Sequence, residues 1–96
     1  MPKTRKRGSM KIYVIVHSGC DADRGIFTDP FVEGAFSEEL EAAEELERLI
    51  SEEKERLDLS RFDTEEQNET HWEIYADGYA AALFSRLEIV ETELRA

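Results

Sequence analysis

The amino-acid sequence predicts an α+β fold, a small three-stranded sheet with one long acidic helix and a second helix packed on one face. Three observations lead there. A run of β-branched and aromatic residues lies near the start, helical apolar spacing runs through a Glu-rich stretch in the middle, and a strand-like segment closes the chain. With 96 residues, 41% of them hydrophobic and 36% charged, there is room for one compact domain.

Residues 1–9 hold four basic side chains, Lys3, Arg5, Lys6 and Arg7, and no apolar residue beyond Met1 and Pro2. They read as a disordered basic arm or, with Gly8-Ser9-Met10 at the junction, as a cloning remnant, leaving 10–96 as the folded domain. Residues 11–17, Lys-Ile-Tyr-Val-Ile-Val-His, lack polar alternation, the pattern of a central strand covered on both faces. Residues 18–30 contain Gly19, Asp21, Asp23, Gly25, Asp29 and Pro30 and read as a loop, from which Ile26 and Phe27 fold back on the core. Residues 31–36 read as a short second strand weakened by Gly34, and Ser37 as the N-cap of the helix that follows. From 37 to 57, Leu40, Ala43, Leu46, Ile50 and Leu57 recur at helical spacing, while Glu44 and Arg48, and Glu52 and Arg56, stand as i,i+4 pairs.

Residues 58–70 are polar, with Leu59 and Phe62 as anchors and a helix-start signal at Asp63 or Thr64. Trp72, Tyr75, Ala76, Tyr79, Ala80, Leu83 and Phe84 then fall on one helical stripe. Asp77-Gly78 between aromatic segments is also a hairpin signal, but seven positions fitting one template outweigh one dipeptide, so a second helix is preferred. Residues 86–94, with Leu87, Ile89, Val90 and Thr92, read as the last strand. A central strand apolar on both sides leaves its second face to be covered by the 18–30 loop or used in a contact, either with a partner or in a homodimer.

Charge excludes some functions. Twenty-three acidic residues against twelve basic ones give a net charge of -11, which argues against direct nucleic-acid binding, because phosphate contacts need clustered cations. No apolar run is long enough for a membrane span and no signal segment stands at the start, so a soluble, cytoplasmic protein is expected; the lone Cys20 fits a reducing compartment.

The chemistry-bearing residues cluster after the first predicted strand: His17, Ser18, Cys20, Asp21 and Asp23. A nucleophilic Cys20 would need a base facing it, and His17 is the candidate. Asp21 and Asp23 with His17 or His71 offer metal ligands, but the calcium-loop pattern wants a third ligand and a distal Glu that are missing, so a solvated turn is preferred. There is no Gly-rich phosphate loop, no zinc-type Cys pair and no nucleophile elbow. No catalytic residue, metal or cofactor is assigned, and the chain is not expected to be an enzyme. A small enzyme or metal-binding protein built on His17, Cys20, Asp21, Asp23 and His71 is the rival reading. Trp72, Tyr75 and Tyr79 are expected in the core, with a self-associating interface as the alternative.

The remaining feature is the acidic stretch of the long helix. Glu41, Glu44, Glu45, Glu52, Glu53 and Glu55 are assigned as the partner-binding residues, a row of carboxylates that imitates phosphates and occupies the basic groove of a nucleic-acid-handling protein. Charge reversal at Glu44, Glu45, Glu52 and Glu53 is expected to weaken binding with the fold intact.

Met-Lys-Ile-Tyr-Val-Ile-Val-His-Ser at 10–18, Val-Glu-Gly-Ala-Phe-Ser-Glu-Glu at 32–39 and Leu-Glu-Ile-Val-Glu-Thr-Glu-Leu at 87–94 resemble small uncharacterised phage and bacterial proteins built as strand, strand, helix, strand. In size and charge the chain is also similar to phage-encoded inhibitors such as anti-CRISPR proteins. The resemblance implies a binding protein and carries over no catalytic residue; residues 58–85 depart from it as an insertion.

Overall fold

Alternation of buried and exposed side chains, rather than helical spacing, governs most of the chain. The computed structural model describes residues 9–76 and 83–95. These form β1 (Ser9–Asp21), β2 (Ile26–Phe36), α1 (Glu39–Arg56), β3 (Thr64–Gln67), β4 (His71–Tyr75) and β5 (Leu83–Arg95), with short 3-10 turns at Ala22–Arg24 and Leu59–Arg61. The strands make one five-stranded sheet in the order β2-β1-β5-β4-β3, every neighbouring pair antiparallel. The predicted three-stranded sheet with two helices is therefore corrected to five strands with one α-helix among the described residues.

The largest correction is the predicted second helix. Trp72, Ile74 and Ala76 are buried while Tyr75 between them is only half-buried, a period of two. Trp72 lies opposite Leu87 and Ile74 opposite Ser85, so this segment is a strand paired with β5. The helical matches at 72, 75 and 76 arise because aromatic and alanine residues occupy both faces of one strand. Asp77-Gly78, Tyr79 and Ala80 lie outside the described residues. The helix-start signal at Asp63 or Thr64 likewise gives way to β3, which pairs with β4 and places Glu65 opposite Ile74.

The predicted 18–30 loop is mostly strand. β1 runs on to Asp21, paired throughout with β5, and β2 starts at Ile26. The reversal itself occupies Ala22 to Gly25, where the Gly25 N–H donates to the Ala22 carbonyl at 3.1 Å and Gly25 takes the left-handed conformation at φ 69°. Gly25→Ala is expected to lower stability by about 1–2 kcal/mol, read by chemical denaturation, because a Cβ penalises that conformation. Asp29-Pro30 is accommodated because β2 is an edge strand whose ladder shifts register beside it.

The long helix holds, with its apolar stripe displaced. Its N-cap is Glu38 rather than Ser37, without a side-chain capping bond. Ala42, Leu46, Leu49, Ile50 and Glu53 are buried, whereas Leu40 is exposed. Leu46, Leu49 and Ile50 join Ile15, Trp72, Ile74 and Leu87 in the core, rimmed by Phe36, Leu57, Phe62 and Ile89. Ile15 and His17 thus face α1, while by alternation Val14 and Val16 face the other side of the sheet. No element of the described residues covers that side. Met10, Val32, Val90 and Leu94 are between 43% and 60% exposed, so the loop expected to shield the second face does not. No helix among the described residues is long and apolar enough to cross a membrane.

Candidate functional site

Where α1 crosses β1, β2 and β5, a cleft of about 570 Å³ opens, bordered by His17, Glu33, Glu53, Arg56, Arg61 and Ser85. Its polar floor follows from backbone geometry. The β1–β2 register passes from Ile15 opposite Gly34 to Val16 opposite Val32, so Glu33 is an extra residue in a β-bulge. The bulge aims the Glu33 carboxylate at His17, with Oε2 2.8 Å from Nδ1. Glu53 follows Leu49 and Ile50 on the buried stripe of α1, with a side chain only 7% exposed. Its Oε2 lies 3.3 Å from His17 Nε2 and accepts the Ser85 hydroxyl at 2.7 Å, and Arg56 donates two bonds to the same carboxylate, at 2.6 and 3.0 Å.

These contacts set the charge states. The hydrogen bond to Glu53 raises the His17 pKa above 6.5, burial opposes it, and Glu33 adds to the rise. Burial alone would raise Glu53, but the bonds from His17, Arg56 and Ser85 outweigh it and hold this carboxyl well below the usual range. A carboxylate thus faces each ring nitrogen from a different element, Glu33 Oε2 at 2.8 Å from Nδ1 and Glu53 Oε2 at 3.3 Å from Nε2, an arrangement that favours the protonated ring. Ser85 is 3% exposed and its hydroxyl donates to Glu53 at 2.7 Å, with His17 Nε2 farther off at 3.5 Å.

Of the rival residues, His17, Cys20 and Asp21 border the same cleft, while Asp23 and His71 lie outside it. Cys20 stands three positions beyond His17 on the same strand, so the two side chains leave opposite faces of β1. Asp21 is held by Arg61 in a two-bond fork at 2.7 and 3.1 Å, which lowers its pKa, and Arg24 approaches it at 3.7 Å. Asp23 lies 4.0 Å from Arg61 and is exposed. His71 is on β4, near Glu73 at 3.4 Å and Glu88 at 3.8 Å. Among the described residues no group of three or more His, Cys, Asp or Glu side chains is placed to hold a metal ion.

The six assigned partner-binding glutamates divide. Glu41, Glu44, Glu52 and Glu55 are exposed on the outer side of α1, and Glu45 is half-buried beside them. Arg48 pairs with both Glu45 and Glu52, and its hydrogen bond lowers the Glu45 pKa. Glu53 is turned inward as described, so reversing its charge would strike the fold, and it cannot serve as a contact residue while the helix is docked. The expected Glu52–Arg56 pair is replaced by Glu53–Arg56 at 2.6 Å, and Glu44–Arg48 by Glu45–Arg48. Lys54 is bound to Glu65 at 3.0 Å. Every cation of α1 is thus matched, whereas Glu38, Glu39, Glu41, Glu44 and Glu55 make no side-chain ion pair among the described residues.

Sequence reasoning missed Glu33, Ser85 and the Asp21–Arg61 fork, whose partners lie 16, 68 and 40 residues apart along the chain. Glu53 had a signal: it continues the buried stripe of Leu46, Leu49 and Ile50 at helical spacing. Trp72 and Tyr75 separate, the first into the core and the second to the opposite face, so they do not form one aromatic surface. Comparison with protein-family models, with curated proteins and with solved structures finds no match for this chain.

Proposed function

We propose that this chain is a non-enzymatic protein-binding module whose contact face is the outer ridge of α1, and that its partner presents a basic groove of the kind that holds nucleic acid. The observation that carries this reading is the imbalance on that ridge. Glu41, Glu44, Glu45, Arg48, Glu52 and Glu55 fall within about 100° of the helix circumference, on the side away from the core, and the one cation among them is already paired. The ridge carries five Glu against one Arg, a difference of four negative charges over about 21 Å from Glu41 to Glu55. One net charge per about 5 Å is of the same order as the phosphate spacing of about 3.4 Å along one strand of a duplex. A mobile-element inhibitor that blocks such a groove is the finer form of the proposal, supported by size and charge.

Attraction of this kind is screened within about 10 Å at 0.1 M salt and about 3 Å at 1 M. The immobilised chain is expected to capture its partner from a lysate of the source cells at 50 mM salt and to release it at 1 M. Recovery that does not change with salt would overturn the reading. A second reading, self-association, is favoured by the exposed Met10, Val32, Val90 and Leu94 on the uncovered sheet face. Light scattering that shows a monomer at high concentration removes it.

A further inference from the structure

We propose that His17 is a proton-operated clasp that holds the bulged part of β2 against the C-terminal half of α1, closed by the imidazolium bridge from Glu33 to Glu53 and opened at Glu33 when the ring becomes neutral. The inference stands apart from the binding reading and rests on the arrangement around one ring. His17 is 14% exposed, and its ring packs against Phe31 with centroids 5.1 Å apart. It is faced by Glu33 from β2, by Glu53 with Arg56 from α1, and by the Ser85 hydroxyl from β5, and Arg48 of α1 attracts Glu33 at longer range. On β1 itself, Asp21 is drawn away by Arg61.

A neutral imidazole carries one N–H, so one of its nitrogens must then turn a lone pair toward a carboxylate. The two carboxylates are unequal. Glu53 is buried, and leaving it short of donors costs more than leaving an exposed group so; the remaining proton therefore stays on Nε2. Glu33 is 25% exposed, sits in a bulge on an edge strand, and has His17 as its side-chain partner. Its carboxylate can turn to water, and with it the β2 wall of the cleft loosens from the helix.

The direction of the titration follows. His17 has a raised pKa, so this contribution to stability is fully present below 6.5 and is lost as pH rises through the higher folded-state value. The opening falls on the alkaline side of 6.5.

Nuclear magnetic resonance of the full chain between pH 5 and pH 9 tests this. The His17 ring is expected to titrate above 6.5, and the amides of Phe31, Val32, Glu33 and Gly34 to shift with the same midpoint. In Glu33→Gln the amide can donate to Nδ1 of the neutral ring as well as accept from the charged one, so the β2 shifts should disappear and the His17 midpoint should fall. His71→Gln should leave both unchanged. The proposal is overturned by a His17 midpoint at or below 6.5, by β2 amides that stay fixed while His17 titrates, or by unaltered β2 shifts in Glu33→Gln. Glu33 is the substituted residue because its replacement leaves the core untouched, so the variant folds and the result can be read.

Discussion

Glu53→Ala is expected to destabilise the fold by about 3–5 kcal/mol, the range for removing one member of a buried ion pair. Glu53 joins three elements at once: it accepts from Arg56 within α1 and from Ser85 on β5, and it faces His17 Nε2 on β1 at 3.3 Å. Alanine leaves the Ser85 hydroxyl, itself 3% exposed, without its acceptor, and leaves His17 with one carboxylate partner instead of two. Urea unfolding at pH 7 measures the loss. Glu53→Gln should lose less, because the amide oxygen still accepts from Ser85 and keeps the volume filled. The same residue sets an acid limit. Its folded-state pKa is lowered, so its contribution is fully present above 4.5 and is lost progressively as pH falls from there through the lower folded-state value. Glu53→Gln should show a correspondingly shallower loss of stability in acid.

Trp72→Ala is expected to cost about 3–5 kcal/mol through lost apolar contact and the cavity left behind. Trp72 is fully buried, lies opposite Leu87, and meets α1 side chains in the core, while its indole N–H donates to Glu65 Oε2 at 2.8 Å. The same carboxylate receives Lys54 from α1, so the indole is both a core filler and part of the tie between helix and β3. A domain of this length has a total stability on the order of 5–14 kcal/mol. The substitution therefore removes a large share, and a fall of about 12 °C or more in the thermal midpoint is expected by circular dichroism. Trp72→Phe keeps most of the volume and leaves Glu65 its lysine, and should lose markedly less.

Both residues show what could and could not be read from the chain. The helix of 39–56 was readable because its period repeats over five turns, and the strand at 11–17 because β-branched residues crowd it. The identity of the strand at 71–75 was hidden because its alternation spans only five residues, too few to outweigh chance helical matches at 75 and 76. Strand pairing decides that segment: Trp72 and Ile74 are buried by β5 and α1, from far along the chain. The polar cluster was hidden for the same reason. His17 was singled out, but as a partner for Cys20 three residues away; its real partners, Glu33 and Glu53, reach it through a β-bulge and a helix docking that no local pattern encodes. Of the acidic face, composition alone indicated the ridge, and the inward turn of Glu53 follows from its place on the buried stripe.

A contact face on the outer ridge of α1 makes binding depend on Glu41, Glu44, Glu52 and Glu55, all at exposed positions, and a variant carrying Glu41→Lys, Glu44→Lys, Glu52→Lys and Glu55→Lys removes it. Wild type and variant are first matched by circular dichroism and thermal midpoint, then used side by side to capture the partner from lysate at 50 mM salt. The folded variant is expected to lose the partner that the wild type retains, and the wild-type chain to displace nucleic acid from the captured partner. Equal capture by a folded variant would contradict it.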